Sequence, residues 1–130
     1  MNYYLSFLVG TQLIGVLFIV IGALQRFLPP KKINRWYGYR TPNARIDQET
    51  WDASNRYSAI YMMRLGFVYY IIGTVINAIA RVYIDDFDKQ NMVKYLVLFA
   101  GAIGIGVLST MATEKYLAAK FKNKVKKRRK

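Results

Sequence analysis

The twenty residues LSFLVGTQLIGVLFIVIGAL, from Leu5 to Leu24, carry no charged side chain. At about 1.5 Å per helical residue they reach across the ~30 Å hydrocarbon core of a bilayer. A cleaved signal peptide would want a positive leader and a shorter apolar core, whereas Met1–Tyr4 has no charged side chain. The stretch therefore reads as a retained transmembrane helix over about 3–28. Two further apolar blocks follow, over about 57–83 and 92–116. They are densest in LGFVYYIIGTVINAIA (Leu65–Ala80) and YLVLFAGAIGIGVLSTM (Tyr95–Met111), and neither block contains proline. The expected fold class is all-α and integral to a membrane, with three transmembrane helices. Residues 1–119 form one membrane domain and 120–130 a basic cytoplasmic tail.

Outside these blocks the composition changes sign. The chain of 130 residues has 20 Lys and Arg against 7 Asp and Glu, a net charge of +13, although 54% of it is apolar. Such segregation fits a membrane protein better than a soluble domain. There is no Cys and no His. Disulfides, thiol nucleophiles, Cys/His metal sites and histidine acid–base pairs are thereby excluded. Seven basic residues fall between Arg26 and Arg56 and nine between Lys115 and Lys130, against three between Arg81 and Lys94. Positive charge stays inside. The N-terminus is accordingly expected outside, with the first connection and the C-terminus in the cytoplasm.

Polar groups within the spans need partners. Gln12 and Asn77 both fall in the external half and are expected to share a hydrogen bond; lining a ligand cavity is the competing reading. Arg26, Arg64 and Glu114 fall towards the cytoplasmic boundary. The expectation is that Glu114 pairs with Arg64 or Arg26, against simple snorkelling of each to the interface. Small residues four apart, Thr11 with Gly15, Ala100 with Gly104 and Ala102 with Gly106, offer close helix packing. Three helices leave much lipid-facing surface, so a homo-oligomer is also expected.

The first connection, 29–56, is far longer than joining two helices requires. Pro29 and Pro30 stop helix 1. Trp36-Tyr37-Gly38-Tyr39-Arg40 gathers aromatic and cationic groups around a glycine suited to a tight turn, and Thr41-Pro42-Asn43 is a second turn signal. Asp47 is a good N-cap and Glu49 suits the first turn of a short interfacial helix leading into helix 2. On that helix Trp51, Ser54, Asn55 and Ser58 share one side. Headgroup anchoring explains single residues such as Trp36, Tyr37 and Tyr39. The whole pattern points to a folded cap or docking surface.

The residues Pro30-x3-Asn34-x2-Tyr37-Gly38-Tyr39-Arg40-Thr41, followed by Thr50-Trp51-x3-Asn55, resemble the signature of the bacterial SdpI/YfhL membrane family. The resemblance implies a protein of the bacterial cytoplasmic membrane. The family's named member is an immunity protein against a secreted, membrane-acting toxin and sequesters a repressor at the membrane. A toxin and a cytoplasmic regulator are thus the implied partners, with the motif residues as docking positions. This chain reads as a short, three-helix form, and no catalytic residues carry over.

Lys120, Lys122, Lys124, Lys126, Lys127, Arg128, Arg129 and Lys130 crowd into the last eleven positions. Next to a membrane, such a tail attracts anionic lipids at about 1 kcal/mol per basic residue; docking of an acidic partner is the sharper alternative. No specific nucleic-acid binding is expected, because no recognition fold accompanies the tail. An enzyme is not expected either. Asp47, Glu49 and Asp52 serve a helix start, and Asp85, Asp86 and Asp88 lack the glycine and distal glutamate of a calcium loop. No phosphate-cradling loop is present, so no metal and no cofactor are expected. The competing function is an accessory subunit, or a lipid-binding scaffold, of a larger membrane complex.

Overall fold

The computed structural model describes residues 10–130. Among them the structure is all-helical, with α1 at Leu13–Phe27, α2 at Gln48–Tyr83, α3 at Phe87–Lys120 and α4 at Lys122–Arg128. Helix α2 is the central element, packed against α1 on one side and α3 on the other. Both α2 and α3 are long and apolar enough to cross a membrane, whereas α1 is a shorter apolar helix of 15 residues. Gly10–Gln12 form a turn before it, closed by Leu13 N–H to the Gly10 carbonyl at 3.0 Å. The expected start of the first helix near residue 3 lies outside the described residues.

The short interfacial helix expected before the second span is not a separate element. Nothing between Asp47 and Tyr83 breaks a helix, so α2 runs unbroken for 36 residues, about 54 Å. Its start is fixed by a reciprocal cap: Thr50 N–H donates to Asp47 Oδ1 at 2.9 Å, and Asp47 N–H donates to Thr50 Oγ1 at 3.1 Å. Helix α3 likewise exceeds its expected bounds, beginning at Phe87 behind an Asp86 cap and ending at Lys120. The three-residue link Ile84–Asp86 turns the chain back sharply. The start of α2 and the end of α3 therefore share one end of the bundle with the 28–47 loop and α4.

Helices α1 and α2 approach at backbone distance. A Cβ on Gly15 would sit 2.6 Å from the Gly66 carbonyl oxygen, and one on Gly66 would sit 2.7 Å from that of Gly15. Gly22 meets the Ala59 carbonyl in the same way, and Gly73 abuts Thr11. Thr11 Oγ1 donates to the Gly73 carbonyl at 2.5 Å, so the expected Thr11–Gly15 pair does lie in a seam. The α3 pairs do not. Gly104 and Gly106 face open space, because α3 turns Gly101, Ile105, Ser109, Thr113 and Leu117 inward instead. Gly101 lies under the Tyr69 ring, whose hydroxyl donates to the Val97 carbonyl. Gln12 and Asn77 are buried together, with Asn77 Nδ2 donating to Gln12 Oε1 at 3.5 Å. Asn77 Oδ1 accepts no hydrogen bond among the described residues.

Candidate functional site

The 28–47 loop is held by side chains that replace regular backbone pairing. Asn34 Oδ1 accepts from the backbone N–H groups of Trp36 (2.9 Å) and Tyr37 (2.8 Å), forming an Asx-type turn. Tyr37 donates its hydroxyl to the Leu28 carbonyl at 3.0 Å, and Arg40 Nη1 donates to the Arg35 carbonyl at 2.6 Å. Pro30 is buried, and its carbonyl accepts from Trp51 Nε1 at 2.8 Å. The proline stop of α1 is thus tied to the face of α2. Trp51 is 0% exposed, whereas Trp36 is 91% exposed. The two tryptophans have opposite roles.

Asn55 is the centre of the loop's attachment. Its Oδ1 accepts from Tyr39 N–H at 2.6 Å and from Gln25 Nε2 at 3.2 Å, while its Nδ2 donates to the Trp51 carbonyl at 2.9 Å. Gln25 Nε2 also meets the Asn55 carbonyl at 3.0 Å and Ser58 Oγ at 2.8 Å. Gly38 has φ 98° and presses against Asn55, where a Cβ would overlap its Oδ1 and come within 2.7 Å of Pro30 Cγ. Only glycine adopts that conformation without strain. The face expected from spacing (Trp51, Ser54, Asn55, Ser58) is buried throughout. Sequence reasoning passed over Gln25. Its one signal was an uncharged amide inside the last turn of an otherwise apolar helix.

Glu114, from α3, closes the other side of the cap. Its Oε1 accepts from Thr41 Oγ1 at 2.5 Å and from the Tyr39 hydroxyl at 2.8 Å; its Oε2 accepts from Asn43 Nδ2 at 2.6 Å. The expected pairing with Arg64 or Arg26 is therefore incorrect. Three neutral donors of the loop occupy the carboxylate, while Arg64 is exposed and Arg26 lines a cleft with Arg56. Burial, then the bond to Glu114, pushes the Tyr39 hydroxyl far above its ordinary range, so it stays a neutral donor.

The basic tail is not a loose string. Phe121 and Val125 are buried against Ala44 and Leu117, which returns α4 to the loop. Lys124 Nζ then bridges Asp47 Oδ2 at 2.7 Å and Glu49 Oε2 at 2.6 Å, and Arg128 Nε donates to Asn43 Oδ1 at 2.8 Å. Lys124, first, and the Thr50 N–H, second, hold the Asp47 carboxyl below the usual carboxylate range, while Asp47 and Glu49 raise the Lys124 ammonium. Lys122, Lys126, Lys127, Arg129 and Lys130 remain exposed, whereas Lys120 lies 5.5 Å from the Tyr116 ring centroid. The Tyr116 ring stacks on Tyr57 at 4.3 Å.

The arrangement is a latch that fastens the loop to α2, α3 and α4. Of the expected docking positions, Trp51 and Asn55 are buried and Gly38 is walled in, so they shape the cap from within. Arg40 and Tyr37 are exposed, and Asn34, Tyr39 and Thr41 are half-buried. Among the described residues, no group of Asp or Glu side chains is arranged to hold a metal ion.

Residues 31–113 match the SdpI/YfhL protein family. The chain is also similar to the uncharacterized protein YfhL of Bacillus subtilis (strain 168), 42% identical over 64 residues. That stretch is 49% of this chain and 58% of the relative, so the chain spans little more than half of the protein it matches. No solved structure matches.

Proposed function

Because the chain belongs to the SdpI/YfhL family, we propose that it is a non-catalytic immunity or tolerance protein of the bacterial cytoplasmic membrane. In this reading three helices span the bilayer, the N-terminus faces outward, and the cap and α4 face the cytoplasm. The helices bind or exclude a membrane-active toxin, and the cap engages a cytoplasmic regulator. The observation that carries the proposal is the cap itself. The loop and its Asn55 attachment lie within the family-matched region, and together with the Glu114 carboxylate just beyond it they fix a surface from which Trp36, Arg35 and Arg40 project. A loop serving only to join helices needs no such bonding. The basic tail supports the same orientation, since five of its cations remain free of the latch and exposed, and clustered positive charge next to a span favours the cytoplasmic side.

The test is photo-crosslinking of the tagged protein in its native membrane, with a crosslinker at exposed position 35 both in the otherwise unmodified protein and in a Trp36→Ala variant. Recovery of a secreted toxin or a small repressor, lost in the variant at unchanged protein level, is the expected result. Stoichiometric recovery of one large membrane complex overturns it and makes the chain an accessory subunit.

A further inference from the structure

A cleft of about 380 Å³ opens between the end of α1 and the first turns of α2. Arg26, Lys31 and Arg56 line it, with Asp52, Gln25 and the Pro29–Pro30 corner. None of the three cations forms an ion pair among the described residues. Apart from Asp52, the acids of the chain are engaged elsewhere or distant. Asp47 and Glu49 hold Lys124, Glu114 holds the loop donors, and Asp85, Asp86 and Asp88 lie at the opposite end of the bundle. Asp52 is the one carboxylate in the cleft, and its Oδ1 already accepts from Gln48 Nε2 at 2.7 Å. Three cations converging on one concave surface repel one another unless an anion is shared between them. Two of them are arginines, whose planar fork matches phosphate oxygens.

We propose that this cleft binds the phosphate of an anionic phospholipid headgroup. The lipid is favoured over a free phosphate by what adjoins the cleft: Phe27 and Leu28, between Arg26 and Pro29, are 75% and 66% exposed and offer apolar surface to acyl chains. A headgroup seated there would also brace the Pro30–Trp51 corner that anchors the loop. The inference rests on the membrane reading above, but neither on its orientation nor on a protective role.

The experiment uses the full-length protein in detergent, titrated with short-chain phosphatidylglycerol, short-chain phosphatidylcholine or inorganic phosphate. Thermal unfolding and native mass spectrometry read binding. The unmodified protein is expected to prefer phosphatidylglycerol about tenfold. Arg26→Gln with Arg56→Gln abolishes that preference, whereas Lys126→Gln with Lys127→Gln, an equal loss of charge on the exposed tail, preserves it. Equal loss in both pairs overturns the site in favour of diffuse surface charge. Full competition by inorganic phosphate at the same concentration overturns the lipid in favour of a soluble phosphate ligand. Should the double arginine variant fail to fold, exposed Lys31→Gln decides alone: a severalfold drop in preference supports the cleft, and no drop overturns it. Failure of the protein to remain in carbonate-washed membranes would instead sink the membrane reading beneath the proposal.

Discussion

Gly38 and Asn55 stand in contact so close that the side-chain oxygen of Asn55 occupies the space a Cβ on Gly38 would fill. The same oxygen accepts from the N–H of Tyr39, the residue that carries the loop onward to Glu114. One glycine thus sets the register between two attachment points drawn from different helices.

Gly38→Ala is expected to destabilise the protein by at least ~2 kcal/mol, combining the left-handed backbone penalty with displacement of Asn55. Thermal unfolding of the purified protein measures it. An unchanged midpoint would mean that the loop does not depend on this contact.

Glu114→Gln places an amide donor where the carboxylate accepted three hydrogen bonds, and should remove about 1–3 kcal/mol. Arg64→Gln should change stability by less than ~0.5 kcal/mol, as an exposed side chain without a protein partner among the described residues does. A double-mutant cycle between the two positions is expected to give no coupling; a clear coupling energy would restore the ion pair that the structure replaces with Tyr39, Thr41 and Asn43.

The latch between Lys124 and Asp47 has a pH window. The carboxyl is lowered in the folded state, so its contribution is complete above about pH 4 and fades as pH falls through the depressed value. The ammonium is raised, so its contribution is complete below about pH 10 and fades as pH rises through the elevated value. Spin labels on α4 and on the 28–47 loop should stay close between these limits and separate outside them. High salt should weaken the pairing, and Lys124→Ala should remove the pH dependence. Separation at neutral pH and low salt would show that α4 is not latched.

Gly66→Leu should drive α1 from α2 and abolish accumulation of the protein, whereas Gly104→Leu should be nearly silent. A Cβ at the first position already meets the Gly15 carbonyl and Ile19, whereas one at the second meets nothing within 4 Å. Comparable behaviour of the two would refute the helix pairing.

What the sequence made readable was local. The Asp47 cap, the Trp51–Ser58 face and the Gln12–Asn77 pairing follow from spacing along a helix or from the shared depth of two polar groups. The seam between α1 and α2 was partly hidden, because its small residues on α2 recur at sevens (Ala59, Gly66, Gly73), whereas the four-residue spacing picks out glycines of α3 that face outward. Glu114 was misassigned because charge counting ranks arginine first as its partner. Reach decides the matter instead, and the folded loop delivers a hydroxyl, a phenol and an amide. The tail carried its own signal in Leu117, Phe121 and Val125, an apolar four-residue spacing among the lysines that buries against Ala44. Eight charges in eleven residues concealed it.

The unbroken length of α2 has a mechanical consequence. A rod of about 54 Å exceeds the hydrocarbon thickness by more than 20 Å, so the helix that lines the bundle is also the floor of the cap. No joint separates the bundle from the cap. A tilt of about 10° around its middle moves each end by roughly 5 Å. Anything that leans on the far end of α2 is therefore felt, in the opposite direction, at Trp51 and Asn55, where the loop is fastened.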